Sequence, residues 1–510
     1  MRLILPAHWR DMPFPCKDRW LCTSLIAVIL LAFAIRVHLA SMPLERDEGE
    51  YGYIAQRMLQ GIPPYKSGYT VKFPGTHVAY AVILKAFGQT DTAIRWGLIV
   101  VNALTMIFIY RIARTLAGNV QKENAATTGL WAAAVFAIMS LAPSMLGITA
   151  NAEHFALLPA AAGTLMLLRG PSRFCIYSSG VYMGLAICMK QPAIAFALAG
   201  LAGVGFGAKT KTPKDICISC ALYIAGVATL LLIMVFCIQG AGVFREFRFW
   251  CFTYAQHYGG MWGLADGARH FALKFEPVLA DHLLIFVACA AGLWMAWRKN
   301  REAFWVMLGV LIAGFAATAP GLIFRPHYFI FIVPGVSVAA AFGLASLGRW
   351  APAGILALLW PLGMQQAVFR ADPEQASRLL YPNNAFVETR ALGYALGKET
   401  LPGEWIGILG SEPQICFYAQ RPLITPYVYM YPLMEPQPFA KSMQQDLMGR
   451  LEYFPPRIMI HVRMPTSWLV YRNSDMTLLN WMPKYLETNY LKERSIPCPK
   501  GTEIIVYKAK

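Results

Sequence analysis

Residues 20–53, WLCTSLIAVILLAFAIRVHLASMPLERDEGEYGY, carry about twenty mostly apolar residues straight into a knot of charge at Arg46-Asp47-Glu48-Gly49-Glu50-Tyr51. At roughly 1.5 Å of rise per residue, the stretch from Trp20 to Ala40 matches the hydrocarbon core of a bilayer. Asp47 then falls a few residues beyond the membrane surface, where a carboxylate meets lipid head groups rather than acyl chains.

Working outward, the whole chain repeats this theme. Its 510 residues are 57% hydrophobic and only 14% charged, the composition of a polytopic membrane protein and a poor match to a soluble core. Apolar runs recur at about 20–40, 96–113, 125–141, 155–168, 175–189, 192–207, 216–238, 282–297, 303–319, 328–347 and 351–368. They predict an α-helical polytopic fold of about eleven transmembrane helices.

The short connections set an orientation. With Arg2, Arg10, Lys17 and Arg19 in the cytoplasm, the loops holding Arg111 and Arg114, Arg169 and Arg173, Lys209 to Lys214, Arg298 to Arg301, and Arg349 fall on the same side. An odd number of spans then puts the loops at about 41–90 and 240–280, together with the tail from about 370, on the outer face. Reading the first run as a cleaved signal peptide ending near Leu39-Ala40-Ser41 would break this agreement, and its apolar stretch is longer than a usual signal core. The expected location is the inner (plasma) membrane of the cell, with the N-terminus cytoplasmic.

The net charge of +17 divides unevenly. Residues 1–369 hold 29 basic and 15 acidic side chains, against 16 and 13 in residues 370–510. About half of the membrane part's excess is the cytoplasmic set. The other half, Lys66, Lys72, Lys85, Arg95, Arg245, Arg248, Arg269, Lys274 and Arg325, lies in loops placed outside, against the positive-inside bias. An anionic ligand on that face accounts for them. Nucleic acid does not, because these residues are dispersed over membrane loops and no nucleic-acid-binding module accompanies them.

The eleven cysteines lie mostly within the apolar runs, where they act as small hydrophobes, and form no disulfide framework. Cys217 and Cys220 read as a span entrance rather than a metal or redox pair, since no second pair complements them. Cys416 and Cys498, both in the tail, are candidates for one bond in an oxidising compartment.

From about residue 370 the composition changes. A helical segment at 385–397 is followed by short strand-like runs at 405–409, 457–462 and 503–507 between proline-rich turns, which predicts a small extracytoplasmic α/β domain over 370–510 beside the membrane domain 1–369. The proline-rich stretch Pro422 to Pro438, with its three aromatics, reads either as a cover over a membrane site or as a surface loop, and the surface loop is the preferred reading. The chain contains no P-loop, dinucleotide fingerprint, H-E-x-x-H pair or Asp-x-Asp pair, which disfavours nucleotide-dependent chemistry.

Several of these elements stand in the order seen in a known family. A first span, then Arg46-Asp47-Glu48-Gly49-Glu50-Tyr51, Val71-Lys72-Phe73-Pro74-Gly75, Ala150-Asn151-Ala152-Glu153, Met189-Lys190-Gln191-Pro192 and Arg325-Pro326-His327-Tyr328 resembles the GT-C membrane glycosyltransferases. The similarity is to the protein O-mannosyltransferase and aminoarabinose transferase branch and covers about residues 20–350. One departure is Phe73-Pro74-Gly75, where the family often has two prolines.

The resemblance implies an enzyme that moves a sugar from a polyprenyl-phosphate donor to a lipid, glycan or protein acceptor on the outer face, with Asp47 as base. A hydroxyl acceptor is a weak nucleophile until a carboxylate takes its proton, which suits Asp47. The leaving phosphate needs cations more than an acid, and Lys72, Arg325 and His327 are the candidates. Glu48, Glu153, His154 and Tyr328 complete the expected substrate-binding set. No cofactor is expected. A divalent ion stays open, although no complete ligand set is visible.

Plainer readings stand beside these. Asp47 suits the cap of a helix running from about Glu48 to Leu59, Glu48 and Glu50 suit helix-terminus acids or hydrogen-bond partners, and Lys72 suits a snorkelling lysine. Glu153 and His154 suit an ordinary helix start, and Arg325, His327 and Tyr328 an interfacial anchor belt. Residues 244–275 suit an amphipathic interfacial helix. A transporter of an anionic or lipid-linked substrate is the alternative function, but transporters keep their ionisable residues near the bilayer midplane, whereas here they sit at span ends.

Overall fold

In a computed structural model the chain is described over residues 19–118, 124–170, 172–206 and 212–510. Arg2, Arg10, Lys17, Lys209 and Lys211 of the loop-charge argument lie outside the described residues. The apolar runs fold as helices. Helix α1 (Arg19–His38) leads through the acidic turn into α2 (Arg46–Leu59) and α3 (Gly75–Phe87). There follow α4 (Asp91–Gly118), α5 (Ala125–Met139), α6 (Ala152–Leu168), α7 (Arg173–Met189), α8 (Ile194–Phe206) and α9 (Pro213–Gly240). Short α10 (Phe244–Arg248) and α11 (Ala255–Gly259) flank a π-helical turn at Phe249–Tyr254, before α12 (Leu264–Asp281), α13 (Leu283–Lys299) and α14 (Arg301–Thr318). A 3₁₀ stretch, Pro326–Ile332, opens α15 (Val333–Ala345), and α16 (Ala351–Met364) closes the bundle.

Each of the eleven apolar runs falls on a helix. Among the described residues five helices, including Pro326–Ala345 counted as one, are long and apolar enough to cross a membrane by length and composition, and α12 with α13 makes a sixth candidate bent by 90°. The chain is a multi-pass membrane protein. Its lipid-facing helices are apolar yet exposed, as α9 is at Ile224, Leu232, Ile233 and Phe236. Alanine-rich α5 is instead buried over nearly its whole length. Small residues let the inner helices close up: a Cβ on Gly292 would strike the Ala339 carbonyl, and one on Gly343 the Ala288 carbonyl, so α13 and α15 touch backbone to backbone.

The segment expected to be one amphipathic interfacial helix divides in two. Helix α12 fits that reading, with Leu264 and Leu273 exposed and its axis at right angles to α13. The preceding turn does not, because Trp250 and Tyr254 are buried against residues of the C-terminal part.

That part begins with α17 (Gln366–Arg370), α18 (Pro373–Leu380) and α19 (Phe386–Glu399), then β1 (Ile406–Leu409), α20 (Gln414–Ala419), α21 (Tyr431–Met434) and α22 (Ala440–Tyr453). It ends with β2 (Ile458–Arg463), α23 (Pro465–Trp468), α24 (Thr477–Asn489), β3 (Tyr490–Pro497) and β4 (Glu503–Ala509). The sheet order is β1-β2-β4-β3, with β1 parallel to β2 and the other pairs antiparallel. Strand β3 was not expected from the sequence: it is an edge strand bearing Lys492, Glu493 and Arg494, and its charge hides the apolar alternation. Cys416 and Cys498 are free thiols, so the bond considered from sequence is not formed.

Helix α20 docks on α2. A Cβ on Gly49 would lie 2.7 Å from Gln414 Cβ and 2.9 Å from its backbone nitrogen, which cannot move independently. Gly49→Ala is therefore expected to cost about 1–3 kcal/mol through overpacking. A lowered thermal transition of the purified protein would show it, and an unchanged one would mean that the two parts are loosely apposed.

Candidate active site

Asp47 lies in the first turn of α2, whose start is defined by a capping box one turn long. The Glu45 carboxylate accepts from the Glu48 N–H at 3.1 Å while Glu48 accepts from the Glu45 N–H at 3.3 Å. Asp47 is thus relieved of the capping role considered for it, and its side chain is free to face the cleft.

The cleft sits at one end of the bundle, where the ends of α1, α7 and α14 meet the starts of α4, α6, α8 and α15. Arg111 and Arg114, Arg169 and Arg173, Lys214, Arg298 to Arg301, and Arg349 occupy the opposite ends of these helices or the turns that join them there. Asp47 Oδ1 accepts from Lys72 Nζ at 2.9 Å, and the same ammonium donates to Glu50 Oε2 at 2.6 Å. Asp47 Oδ2 looks the other way, toward His327 Nε2 at 3.8 Å. His327 Nε2 stands 3.9 Å from Glu153 Oε1, which is itself bonded to Lys190 Nζ. Two lysine–carboxylate pairs therefore face each other across one imidazole.

Local structure holds each member in place. Lys72 sits 4.3 Å over the Tyr51 ring. Its loop is tied down by Tyr65 Oη donating to the Lys72 carbonyl at 2.8 Å and by Gln191 donating to the Val71 carbonyl at 2.7 Å. Gly75, which closes the departing Phe73-Pro74-Gly75 stretch, has no room for a Cβ against the Cys188 carbonyl. Thr76 reinforces the junction by donating to the Met189 carbonyl at 2.8 Å. On the far side, Lys190 rests 4.5 Å over the Tyr328 ring.

Two residues expected to bind substrate are enclosed elsewhere. Glu48 is fully buried, paired with Arg95 at 2.6 Å and accepting from the Ala150 N–H at 2.6 Å, so its lone pairs are spent on holding α2, α4 and the start of α6 together. By the same contact Arg95, counted among the outer cations, is neutralised inside the protein. His154 is 1% exposed and points into the bundle, within electrostatic reach of Arg36. By contrast Asp47, Lys72, Glu153, His327 and Tyr328 converge on one cleft, and Arg325 lies within electrostatic reach of Asp47, Tyr258 and Tyr431.

The proline-rich stretch is a cover, contrary to the preferred sequence reading. Tyr69 N–H donates to the Pro426 carbonyl at 2.7 Å, Tyr254 Oη donates to Glu435, and Tyr429 Oη lies 3.0 Å from Asp47 Oδ1. Tyr69 stacks on Trp250 at 4.9 Å between centroids, so the loop after α9 and the C-terminal part close over the cleft together. Arg46 adds a clamp, with Nη2 at 2.6 Å and Nε at 3.0 Å from Glu412 Oε1. No sequence signal marked Tyr429 or Glu412, because each is defined only by contact with a residue more than three hundred positions away.

Electrostatics follow the geometry. Burial alone would raise the Asp47 carboxyl, but Lys72, His327 and Arg325 hold it well below the usual carboxylate range. Lys72 is pulled down by burial and more than restored by Asp47 and Glu50, ending well above its ordinary value. The Asp47–Lys72 pair is thus ionised at neutral pH. Among the described residues no group of three His, Cys, Asp or Glu stands in metal-binding geometry.

Comparison with known proteins agrees with this arrangement. Residues 73–238 match the family model described as dolichyl-phosphate-mannose-protein mannosyltransferase. Among solved structures, the chain resembles ArnT from Cupriavidus metallidurans bound to undecaprenyl phosphate, with TM-score 0.58 and 14% identity over 94% of this chain and 97% of that one. It also resembles the oligosaccharyltransferase AglB from Archaeoglobus fulgidus in complex with an inhibitory peptide and a dolichol-phosphate, with TM-score 0.53 and 13% identity over 97% of this chain and 74% of that one. No curated protein matches it in sequence. The fold is that of the GT-C membrane glycosyltransferases.

Proposed function

We propose that this chain, built on the GT-C fold, is an integral-membrane glycosyltransferase that moves a sugar from a polyprenyl-phosphate donor to a lipid, glycan or protein acceptor at the outer face of the membrane. The observation that carries the reading is Asp47 Oδ2, a carboxylate oxygen left open in a cleft rimmed by Lys72, His327 and Arg325. Asp47 is the base. Lys72, Arg325 and His327 receive the phosphate, and Glu153 with Tyr328 lines the opposite wall through Lys190. A carboxylate held low by a lysine is a weak base until something competes for that lysine. An arriving phosphate does so, drawing Lys72 and Arg325 toward itself and returning basicity to Asp47 only when donor is bound.

Displacement in a single step inverts the sugar's anomeric carbon. The acceptor oxygen bonds to that carbon as Asp47 takes its proton, and the polyprenyl phosphate leaves with the bonding electron pair. The placement of ionisable groups at helix ends, rather than midway along the helices, supports this reading over transport. The cleft and residues 370–510, read as one extracytoplasmic domain, belong on the outer side and the N-terminus on the cytoplasmic side, in keeping with the basic turns at the far end of the bundle.

Mass spectrometry of envelope lipids, glycans and proteins from cells with and without the gene tests the proposal. A sugar-bearing species that disappears with the gene is expected, and it names donor sugar and acceptor together. Unchanged envelopes, or labelling that finds residues 46–53 in the cytoplasm, would overturn it.

A further inference from the structure

The carboxylate of Asp47 is asymmetric in its surroundings. Oδ1 has two partners, Lys72 Nζ at 2.9 Å and Tyr429 Oη at 3.0 Å, whereas among the described residues Oδ2 has only the His327 ring at 3.8 Å. Tyr429 comes from the cover, 382 residues along the chain from Asp47. Its hydroxyl stands 3.0 Å from both Asp47 Oδ1 and the Arg46 carbonyl, and of the two acceptors the charged oxygen is the stronger.

The ring has little freedom to leave. It stacks on Tyr431 at 5.3 Å between centroids and 14° between planes, and Tyr431 Oη donates to the Thr466 carbonyl at 3.0 Å. The backbone on either side is pinned as well: Met430 N–H donates to Ser411 Oγ at 2.8 Å, and the Pro426 carbonyl is held by Tyr69. The Arg46–Glu412 ion pair fixes the residue beside Asp47 to the same part of the chain.

We propose that Tyr429 is a positioning residue that locks Asp47 Oδ1, so that Oδ2 is the atom that accepts the acceptor's proton, and that the C-terminal part thereby completes the catalytic centre. The inference rests on the transferase reading above and adds an atom assignment to it. In the step it serves, the acceptor O–H bond breaks toward Oδ2, the acceptor oxygen bonds to the sugar's anomeric carbon, and the carbon–oxygen bond to phosphate breaks with its electrons going to the phosphate. A carboxylate held at one oxygen by two donors cannot rotate to present the other, which pre-orients the base at no cost during reaction.

Tyr429→Phe deletes one hydroxyl and keeps the ring and its stack. The full-length chain in membranes is compared with wild type for the initial rate of sugar transfer, following the species identified by envelope mass spectrometry, and the purified chain for undecaprenyl phosphate binding and thermal transition. The expected result is a rate about ten- to a hundredfold lower, with undecaprenyl phosphate binding and melting unchanged. A full rate in Tyr429→Phe would overturn the positioning role and leave the transferase reading standing. Loss of rate in step with lost binding or lowered melting would reduce Tyr429 to a structural contact. Absence of transfer by wild-type membranes would overturn both readings.

Discussion

Asp47→Asn is expected to lower sugar transfer by about 10²–10⁴-fold, the usual contribution of a general base, while the protein still folds. The change is isosteric. Its side-chain oxygen can still accept from Lys72 and Tyr429, and Lys72 keeps its bond to Glu50 at 2.6 Å, so no buried ammonium is stranded. What is lost is the capacity to take a proton and one negative charge in a cleft of cations. Undecaprenyl phosphate binding is expected to hold or tighten, since a carboxylate that competes for Lys72 has been removed. Initial rates in membranes, with that binding as the companion measurement, decide the matter. Turnover at the wild-type level would remove Asp47 from the chemistry and return the acidic turn to a purely structural role.

The second large effect concerns stability. Arg95→Met leaves Glu48 fully buried with only backbone donors, and an uncompensated carboxylate in a protein interior is expected to cost about 3–5 kcal/mol. The purified variant should melt at a much lower temperature or fail to accumulate in the membrane. Combining it with Glu48→Gln should restore part of the loss, because the stranded charge rather than the missing attraction carries the penalty. A single variant as stable as wild type would show that Glu48 is neutral and that the contact with Arg95 carries little. The two carboxylates stand one residue apart and differ in surroundings: Asp47 faces Lys72 and His327 in the cleft, and Glu48 is spent on the scaffold.

Much of this was visible along the chain. The eleven apolar runs coincide with helices because a span is a local property, a matter of how many consecutive side chains tolerate hydrocarbon. Strands β1, β2 and β4 were likewise marked by short apolar runs between prolines, whereas edge strand β3 was hidden by its charges. The cleft was half legible. Asp47, Lys72 and His327 stood out as charges at span ends, and the structure brings them together. Glu48 and His154 stood out by the same criterion and are buried elsewhere, and Glu50, read as a helix-terminus acid or hydrogen-bond partner rather than a base, carries a contact to Lys72. The covering role of Pro422 to Pro438 escaped because a proline-rich loop has the same local composition whether it caps a site or wanders over a surface.

By itself, then, the order of residues determined the membrane class, the helices and the neighbourhood of the chemistry, since each depends on side chains within a turn or two of one another. Which acid faces the cleft and which is enclosed was decided only by tertiary structure. The ionisation and freedom of a carboxylate are set by what encloses it, and Asp47 meets Lys72, His327 and Tyr429 only when stretches 25, 280 and 382 residues away fold onto one end of the bundle.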